Sequence, residues 1–476
     1  MADLKQSAIS VIRALRDEGY QAYLVGGCVR DLLLHRKPAD YDVATDALPD
    51  DVMRLFPETY AVGAQFGVVL VPAEENVSQV SDVSEVSDVP SSKPVKHPKP
   101  PKPSSEQTAT GNYTIEVATF RSDGLYTDGR HPDEVRFTRD PREDVQRRDF
   151  TINGLLLDPL NHDEVLDFVG GRADLERGII RTIGPAERRF AEDKLRMLRA
   201  VRFSARFGYT IEPQTLAAIR ELAPQIQQVS RERIREELTK MLTEGHARRA
   251  FELLDESTLL KQVLPEVAAM QGVEQPPQFH PEGDVWVHTL LLLEMLPDPC
   301  SRTLAWGALL HDVGKPPTFR VAPDRIRFDG HVEVGVRMAE EICRRLRFSN
   351  DDTAQIAALV AQHMRFADSL KMKESTLKRF LRLPQFDEHL AMHRIDCLAS
   401  HGDLTSYDFL RHKLDEMPQD EIRPRPLLTG DDLLAAGYSP GPLFRQILSA
   451  VEDAQLEGRL HTREDALAFV SREFPL

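Results

Sequence analysis

At 476 residues with 41% hydrophobic content, the chain is long enough for about two to four domains with their own cores. A formal net charge of −16 excludes a generally basic nucleic-acid coat, so any RNA contact has to come from a local patch. Cys28, Cys300, Cys343 and Cys397 form no metal or disulfide spacing, and no apolar run approaches the roughly 20 residues of a membrane span; a reducing, cytoplasmic location without a membrane is the expectation.

The N-terminal "MADLKQSAISVIRALRDEG" reads as an amphipathic helix, not a signal peptide. "QAYLVGG" reads as a strand, "CVRDLLL" as a short helix, "YDVAT" as a strand, "LPDDVMRLF" as a helix and "FGVVLV" as a strand. A tract rich in Ser, Pro, Lys and Glu follows, without aromatic residues. It separates "FGVVLV" from the next strand, "YTIEVATF". Such composition cannot bury enough surface to order itself, so residues about 73–112 are expected to be a disordered hairpin-tip insertion, with a docking element for a partner as the alternative. From about residue 185 the pattern is helical to the end, with "PAERRFAEDKLRMLRAVRFSARFG" as one long helix stopped by Gly208.

Asp40 and Asp42, one residue apart on a strand, point to one face and repel each other unless a cation sits between them. Glu116 in "YTIEVATF" is the candidate third carboxylate. Gly26 and Gly27 leave backbone N–H groups uncovered at a helix start that favours anions, and with Arg30 they would hold a triphosphate. Divalent metal beside phosphate is what nucleotidyl transfer needs. The alternative for a lone Asp-x-Asp is a pair of solvated surface carboxylates.

Gly26–Thr45, "RRDFTINGLLLDP" (Arg147–Pro159) and "EDKLRMLRAVRFSARFG" (Glu192–Gly208) together resemble the class II tRNA nucleotidyltransferase and poly(A) polymerase family, over roughly residues 20–265. The resemblance implies a small head of mixed sheet and helices followed by helical neck and body. It implies magnesium on Asp40 and Asp42, and Arg148, Asp149 and Asn153 around the nucleotide. Asp193 and Arg196, three apart on the expected helix, would lie side by side. The carboxylate would accept from an exocyclic amine and the guanidinium donate to a ring nitrogen or carbonyl, which admits CTP and ATP and disfavours UTP and GTP. The resemblance implies that this pair acts as a protein template; an intrahelical salt bridge is the alternative. Between Arg177 and Arg206 stand nine basic and three acidic side chains, a candidate RNA patch carried by Arg199, Arg202 and Arg206, or else a solvated helix face. "RSDGLYTDGRHPDEV" (Arg121–Val135) reads as a mobile loop, which the resemblance ties to switching from C to A addition. "VGAQFGVVLV" departs from the pattern of poly(A)-making members.

In the C-terminal half, His288, His311–Asp312, His331, His363 and Asp396 stand in the order of the HD superfamily of metal phosphohydrolases, which this part resembles. The resemblance implies a first metal on His288, His311, Asp312 and Asp396. His331 and His363 would complete a second or touch the substrate phosphate. Mn, Fe, Co or Ni would suit the ligands, and a 2′,3′-cyclic phosphate or damaged 3′ end would suit the partner activity; a catalytically silent RNA-binding domain is the alternative.

The expectation is therefore a multidomain α+β protein: head at 1–160, helical neck and body at 161–270, HD domain at 271–415 and a helical segment at 416–476. Its expected work is magnesium-dependent, template-free building or repair of the tRNA 3′ CCA end from CTP and ATP. A poly(A) polymerase, an A-adding enzyme, and a metal phosphohydrolase with an RNA-binding N-terminal half remain open, as does the oligomeric state.

Overall fold

Asp3 starts the first helix, α1 (Leu4–Asp17), by accepting from the Lys5 amide, and Ala8, Val11, Ile12 and Leu15 recur at helical spacing as its buried face. The computed structural model describes residues 3–60, 67–73, 114–124, 134–278, 280–323 and 325–476. The chain divides into two compact units, one of Met1–Ala200 with Phe207–Leu222, the other of Val201–Arg206 with Ala223–Leu476.

The first unit continues with β1 (Ala22–Val25), α2 (Gly27–Leu33), β2 (Asp42–Thr45), α3 (Pro49–Leu55), β3 (Val68–Pro72), β4 (Thr114–Thr119), β5 (Arg121–Asp123), β6 (Val135–Phe137), α4 (Pro141–Gln146), β7 (Leu155–Asp158), β8 (Glu164–Asp167), α5 (Gly171–Arg177), α6 (Ala186–Glu192), α7 (Leu195–Phe207, which runs into the second unit) and α8 (Pro213–Leu222). Six strands form one sheet in the order β3-β4-β2-β1-β7-β8. β2 and β4 run parallel; the other neighbours are antiparallel. Ile12, Leu24, Val29, Val43, Val69, Ile115 and Leu155 make the core beneath it, so the strands read from apolar runs are the strands observed. β3 and β4 pair from Val68↔Ala118 to Pro72↔Thr114, so the tract between them leaves and re-enters at one end of the sheet. The insertion expected at about 73–112 lies almost wholly outside the described residues, as do residues 125–133 of the Arg121–Val135 loop and residues 62–66 of "VGAQFGVVLV".

One element differs from expectation. The long helix at 185–208 is two helices, broken at Asp193, whose backbone is extended (φ −146°, ψ 107°). The cause is local: the Asp193 side chain accepts from the Leu195 amide at 3.0 Å, capping α7 and competing with helix continuation.

The second unit is almost wholly helical. Asp284 caps the helix Val285–Glu294 and Ser301 caps Arg302–Leu310. Near the C-terminus, Thr429 with Asp432 and Thr462 with Asp465 form capping boxes. An α+β head followed by helical segments is the multidomain architecture expected. No helix among the described residues is long and apolar enough to cross a membrane.

Candidate active sites

β1 ends at Val25, paired with Asp42, and the chain turns at Gly26 with φ +76°, a conformation that strains any L side chain. A Cβ there would stand 3.4 Å from Arg148 Nη1 and 4.0 Å from Asp42 Oδ2, so the bare Gly26 keeps the approach to both clear, while its own N–H donates to Leu155 O at 3.3 Å. Asp40 and Asp42 flank the buried Tyr41, the alternation of extended chain. The parallel pairing of β2 with β4 sets Asp42 directly opposite Glu116. Burial, then Glu116 and Asp40, push the Asp42 carboxyl up to about 7, with Arg148 opposing. Burial and then Asp40 raise Glu116.

These carboxylates converge without closing into a cage. Among the described residues, sets of three donor atoms within 4.8 Å of one another occur only around the histidines of the second unit. Mg²⁺ takes one or two carboxylates and fills its octahedron with water and phosphate oxygens, so a loose set of hard oxygen donors fits it.

Behind the carboxylates, "RRDFTIN" forms a polar network. Arg147 and Arg148 both bond Asp144, at 2.7 and 3.0 Å. Asp149 accepts from Arg199 Nη2 at 2.7 Å, from Asn153 Nδ2 at 3.1 Å and from the Phe150 amide at 2.8 Å. Burial alone would raise the Asp149 carboxyl, but Arg199, Arg196 and Asn153 outweigh it and hold it at about 2.

Three expectations need correction. Arg30 is no triphosphate ligand here: it is 4% exposed, and its guanidinium bonds Asp31 and Asn153 Oδ1 (2.6 Å) and lies 4.6 Å from the Phe207 ring centroid. Arg202 is no surface RNA contact: it is 6% exposed and pairs with Glu237 at 2.7 Å and Glu244 at 3.4 Å. Arg199 and Arg206 are partly exposed, yet they also pair, with Asp149 and Glu244, so the run of basic residues is largely an internal ion-pair system. Asp193 and Arg196 do not share a helix face. Asp193 caps α7, and Arg196 is held by Glu192 Oε2 (2.8 Å), Arg189 O (3.1 Å) and Arg147 O (3.0 Å).

In the second unit the residues expected together are together. His288 Nε2 lies 3.1 Å from Asp396 Oδ1 and 3.3 Å from His311 Nε2. Asp312 faces both ways: Oδ2 is 3.2 Å from His311 Nε2, while Oδ1 is 3.9 Å from His331 Nε2 and 3.8 Å from His363 Nε2. Nδ1 of His311, His331 and His363 donates to the carbonyls of Ala308, Phe328 and Val360, at 2.9, 3.0 and 2.7 Å. In the neutral tautomer that these bonds select, each ring turns its Nε2 lone pair inward.

Asp312 Oδ1, His331 Nε2 and His363 Nε2 are buried without hydrogen-bond partners. Lone pairs crowded at these distances suit ligands about 2.1 Å from a shared transition metal, and the N-rich donor set fits one. Burial takes His363 down to about 4, whereas at His288 the facing carboxylates of Asp396 and Glu282 outweigh burial and raise it to about 9. A cavity of about 480 Å³ opens onto His311, Asp312, His331, His363 and Asp396.

The chain matches the family model for the poly A polymerase head domain at residues 22–100 and 97–181, that for the probable RNA and SrmB-binding site of polymerase A at 208–271, and that for the HD domain at 284–398. The chain belongs to the tRNA nucleotidyltransferase and poly(A) polymerase family. It is 41% identical to the CCA-adding enzyme of Geobacillus stearothermophilus over 266 residues, 56% of each chain. To the CCA-adding enzyme of Streptococcus pneumoniae (strain CGSP14) it is 27% identical over 98% of this chain and 97% of that one. The crystal structure of the Bacillus stearothermophilus CCA-adding enzyme in complex with CTP superposes with a TM-score of 0.71 at 27% identity, covering 99% of this chain and 98% of that one. The first of these alignments spans about half the relative's length. Head and HD domains both imply dependence on divalent metal.

Sequence reasoning missed Lys315, whose Nζ lies 2.7 Å from both Asp312 Oδ2 and Gln275 Oε1, and it missed His280 and Glu282 beside His288. "HDVGK" carried a signal for the first, one helical turn beyond Asp312. "HPEGDVWVH" carried one for the others, two further potential ligands within eight residues of His288.

Proposed function

We propose that the chain builds or repairs the 3′ CCA end of tRNA from CTP and ATP, with residues 1–160 as the nucleotidyltransferase head, 161–270 as a neck and body that select the nucleotide and contact RNA, 271–415 as the HD domain and 416–476 as a helical C-terminal segment, working in the cytoplasm. The observation that carries this reading is the direct register of Asp42 against Glu116, with the space beside Asp42 and Arg148 kept clear by the missing side chain of Gly26. The CCA-adding relatives named above support the choice of product over poly(A).

Asp40 and Asp42, with Glu116 beside them, would hold Mg²⁺, which supplies charge neutralisation on the phosphates and a lowered pKa for the attacking 3′ hydroxyl. Gly27, at the first turn of α2, offers phosphate a backbone N–H that no side chain covers, and Gly26, whose own N–H is spent on Leu155 O, leaves room beside it. Arg148, next to Gly26 and coupled to both Asp42 and Glu116, is the side-chain cation for the same phosphates. Asp149, locked in its ionised form, orients Asn153 and Arg199 around the nucleotide. Asp193 and Arg196 flank the break between α6 and α7, and Arg196 bonds Arg147 O of the same motif; from that position they read the base as separate contacts, not as a preformed pair. Arg199 and Arg206 are the cations left partly open for RNA. The test offers the purified protein tRNA ending before CCA, at C and at CC, with each NTP in turn. Label entering all three substrates in the order C, C, A supports the reading. Entry of A alone into the CC-ended substrate would indicate an A-adding enzyme, and long A tails on unstructured RNA a poly(A) polymerase.

A second activity is favoured by the paired histidine–aspartate clusters: metal-dependent hydrolysis of a phosphoester at the second-unit cavity, with His288, His311 and Asp396 around one transition metal (Mn, Fe, Co or Ni), His331 and His363 around another, and Asp312 between. Loss of generic phosphodiester cleavage in His311→Ala, with nucleotide addition retained, checks it.

A further inference from the structure

Four imidazoles of the second-unit cluster present Nε2 to its centre, and three of them are set in the same way. His311, His331 and His363 each donate Nδ1–H to the carbonyl three residues earlier. The main chain thereby fixes both ring orientation and tautomer. His288 departs from this pattern. It sits within the helix Val285–Glu294, where backbone carbonyls are spent on the helix, and is wholly buried. The group at its Nδ1 is a side chain: Glu282 Oε1, at 2.7 Å. The carboxylate lies off the N–H axis, and no other partner is aligned on that nitrogen. The same Oε1 is 2.9 Å from His280 Nδ1, which pins the carboxylate in place.

We propose that Glu282 is a positioning residue of the metal centre: it holds Nδ1–H of His288, directs the Nε2 lone pair at the ion shared with His311 and Asp396, and raises the donor strength of that imidazole. The proposal rests on the metal-site reading above. A carboxylate behind a metal-binding imidazole makes a more basic ligand than a backbone carbonyl does. The two metal positions are therefore unequal, and only the one containing His288 depends on Glu282.

The experiment measures Mn²⁺ and Co²⁺ binding by equilibrium dialysis on the chelator-stripped full-length chain, with Co²⁺ absorption spectra recorded in parallel. With excess Mg²⁺ present to fill the head carboxylates, wild type should bind two ions. Glu282→Ala should lose about 10- to 100-fold in affinity for one of them and keep the other. Glu282→Gln, whose amide oxygen still accepts from Nδ1–H, should fall between. His331→Ala should weaken the other ion, which assigns the classes. CCA addition by the same Glu282 variants should equal wild type. Two ions bound as tightly by Glu282→Ala as by wild type would overturn the proposal while leaving the metal site standing; no ion bound by wild type would overturn both. If Glu282→Ala does not fold, the comparison passes to Glu282→Gln, and wild-type affinity for both ions there overturns the proposal.

Discussion

The two candidate centres solve one problem, gathering ligands for a cation, by opposite means. In the head, oxygen donors stand on strands, and sheet register brings residues 42 and 116 together across the intervening chain. The result is open and electrostatically strained: Asp42 is pushed up to about 7 by burial and its acidic neighbours. In the second unit, nitrogen donors stand mostly at helix ends, where i−3 carbonyls orient the rings without help from any ligand. A loose oxygen set suits an ion that arrives with nucleotide phosphates and leaves with pyrophosphate. A tight, oriented nitrogen set suits an ion that stays.

The largest way to break this contrast is Asp42→Ala. It removes several kcal/mol of charge stabilisation, so nucleotide addition should fall by about a thousandfold or more. Thermal stability should hold or rise, because the substitution relieves repulsion among Asp40, Asp42 and Glu116. Metal content of the HD domain should be unchanged. Turnover near wild type would remove Asp42 from the head centre.

Next in size is Arg202→Ala. The Arg202–Glu237 pair is buried at 2.7 Å, and removing one partner of such a pair typically costs about 3–5 kcal/mol. A clear drop in chemical-denaturation midpoint, with tRNA affinity per folded molecule unchanged, is expected. Weakened tRNA binding at unchanged stability would return Arg202 to the RNA surface.

These two residues show how much was legible beforehand. Asp42 and Glu116 could be read because their chemistry is local: an Asp-x-Asp on one strand and a Glu in the middle of another. The elements around them follow period-two and short helical patterns that the structure reproduces. Arg202 and Arg30 could not be placed, because a guanidinium looks the same in sequence whether it meets phosphate or a buried carboxylate 35 residues away. The break at Asp193 was hidden for a similar reason. Capping competes with helix propagation within one turn, and the apolar period continues across it. The histidines and aspartates of the HD cluster were legible as a set, whereas Glu282 was not, since its place beside His288 depends on where that ring turns its second nitrogen.

A smaller effect sharpens the base-reading proposal. Asp193→Ala removes both a cap and an acceptor, Asp193→Asn keeps a cap and changes the acceptor. In single-turnover incorporation on tRNA ending before CCA, both should reduce the preference for CTP over UTP, by about 1–3 kcal/mol for a lost base contact. Only the alanine should also lose about 1 kcal/mol of stability. Unchanged relative rates for the four nucleotides in both variants would leave Asp193 as a helix cap alone.

The smallest effect separates the centres by pH. An ion can join the head carboxylates only when Asp42 has lost its proton. Its carboxyl is raised to about 7, by burial first and then Glu116 and Asp40, so protonation persists further up the scale than for an ordinary aspartate. Mg²⁺ affinity should therefore climb as pH rises toward 7, flatten above about 8, and fall by up to about tenfold per unit below the midpoint. In the HD cluster the group to be deprotonated is His288, raised to about 9 because the facing carboxylates of Asp396 and Glu282 outweigh burial. The same sign applies there, two units higher: Mn²⁺ affinity should still be rising between pH 7 and 9, where Mg²⁺ binding to the head has levelled off. Calorimetric titrations in buffers of different ionisation enthalpy read the released protons directly. At pH 8 the head should release almost none and the HD centre close to one per ion at the His288 position. Coincident pH profiles for Mg²⁺ at the head and Mn²⁺ at the HD centre would mean that the electrostatic difference between oxygen and nitrogen ligand sets does not govern how either site fills.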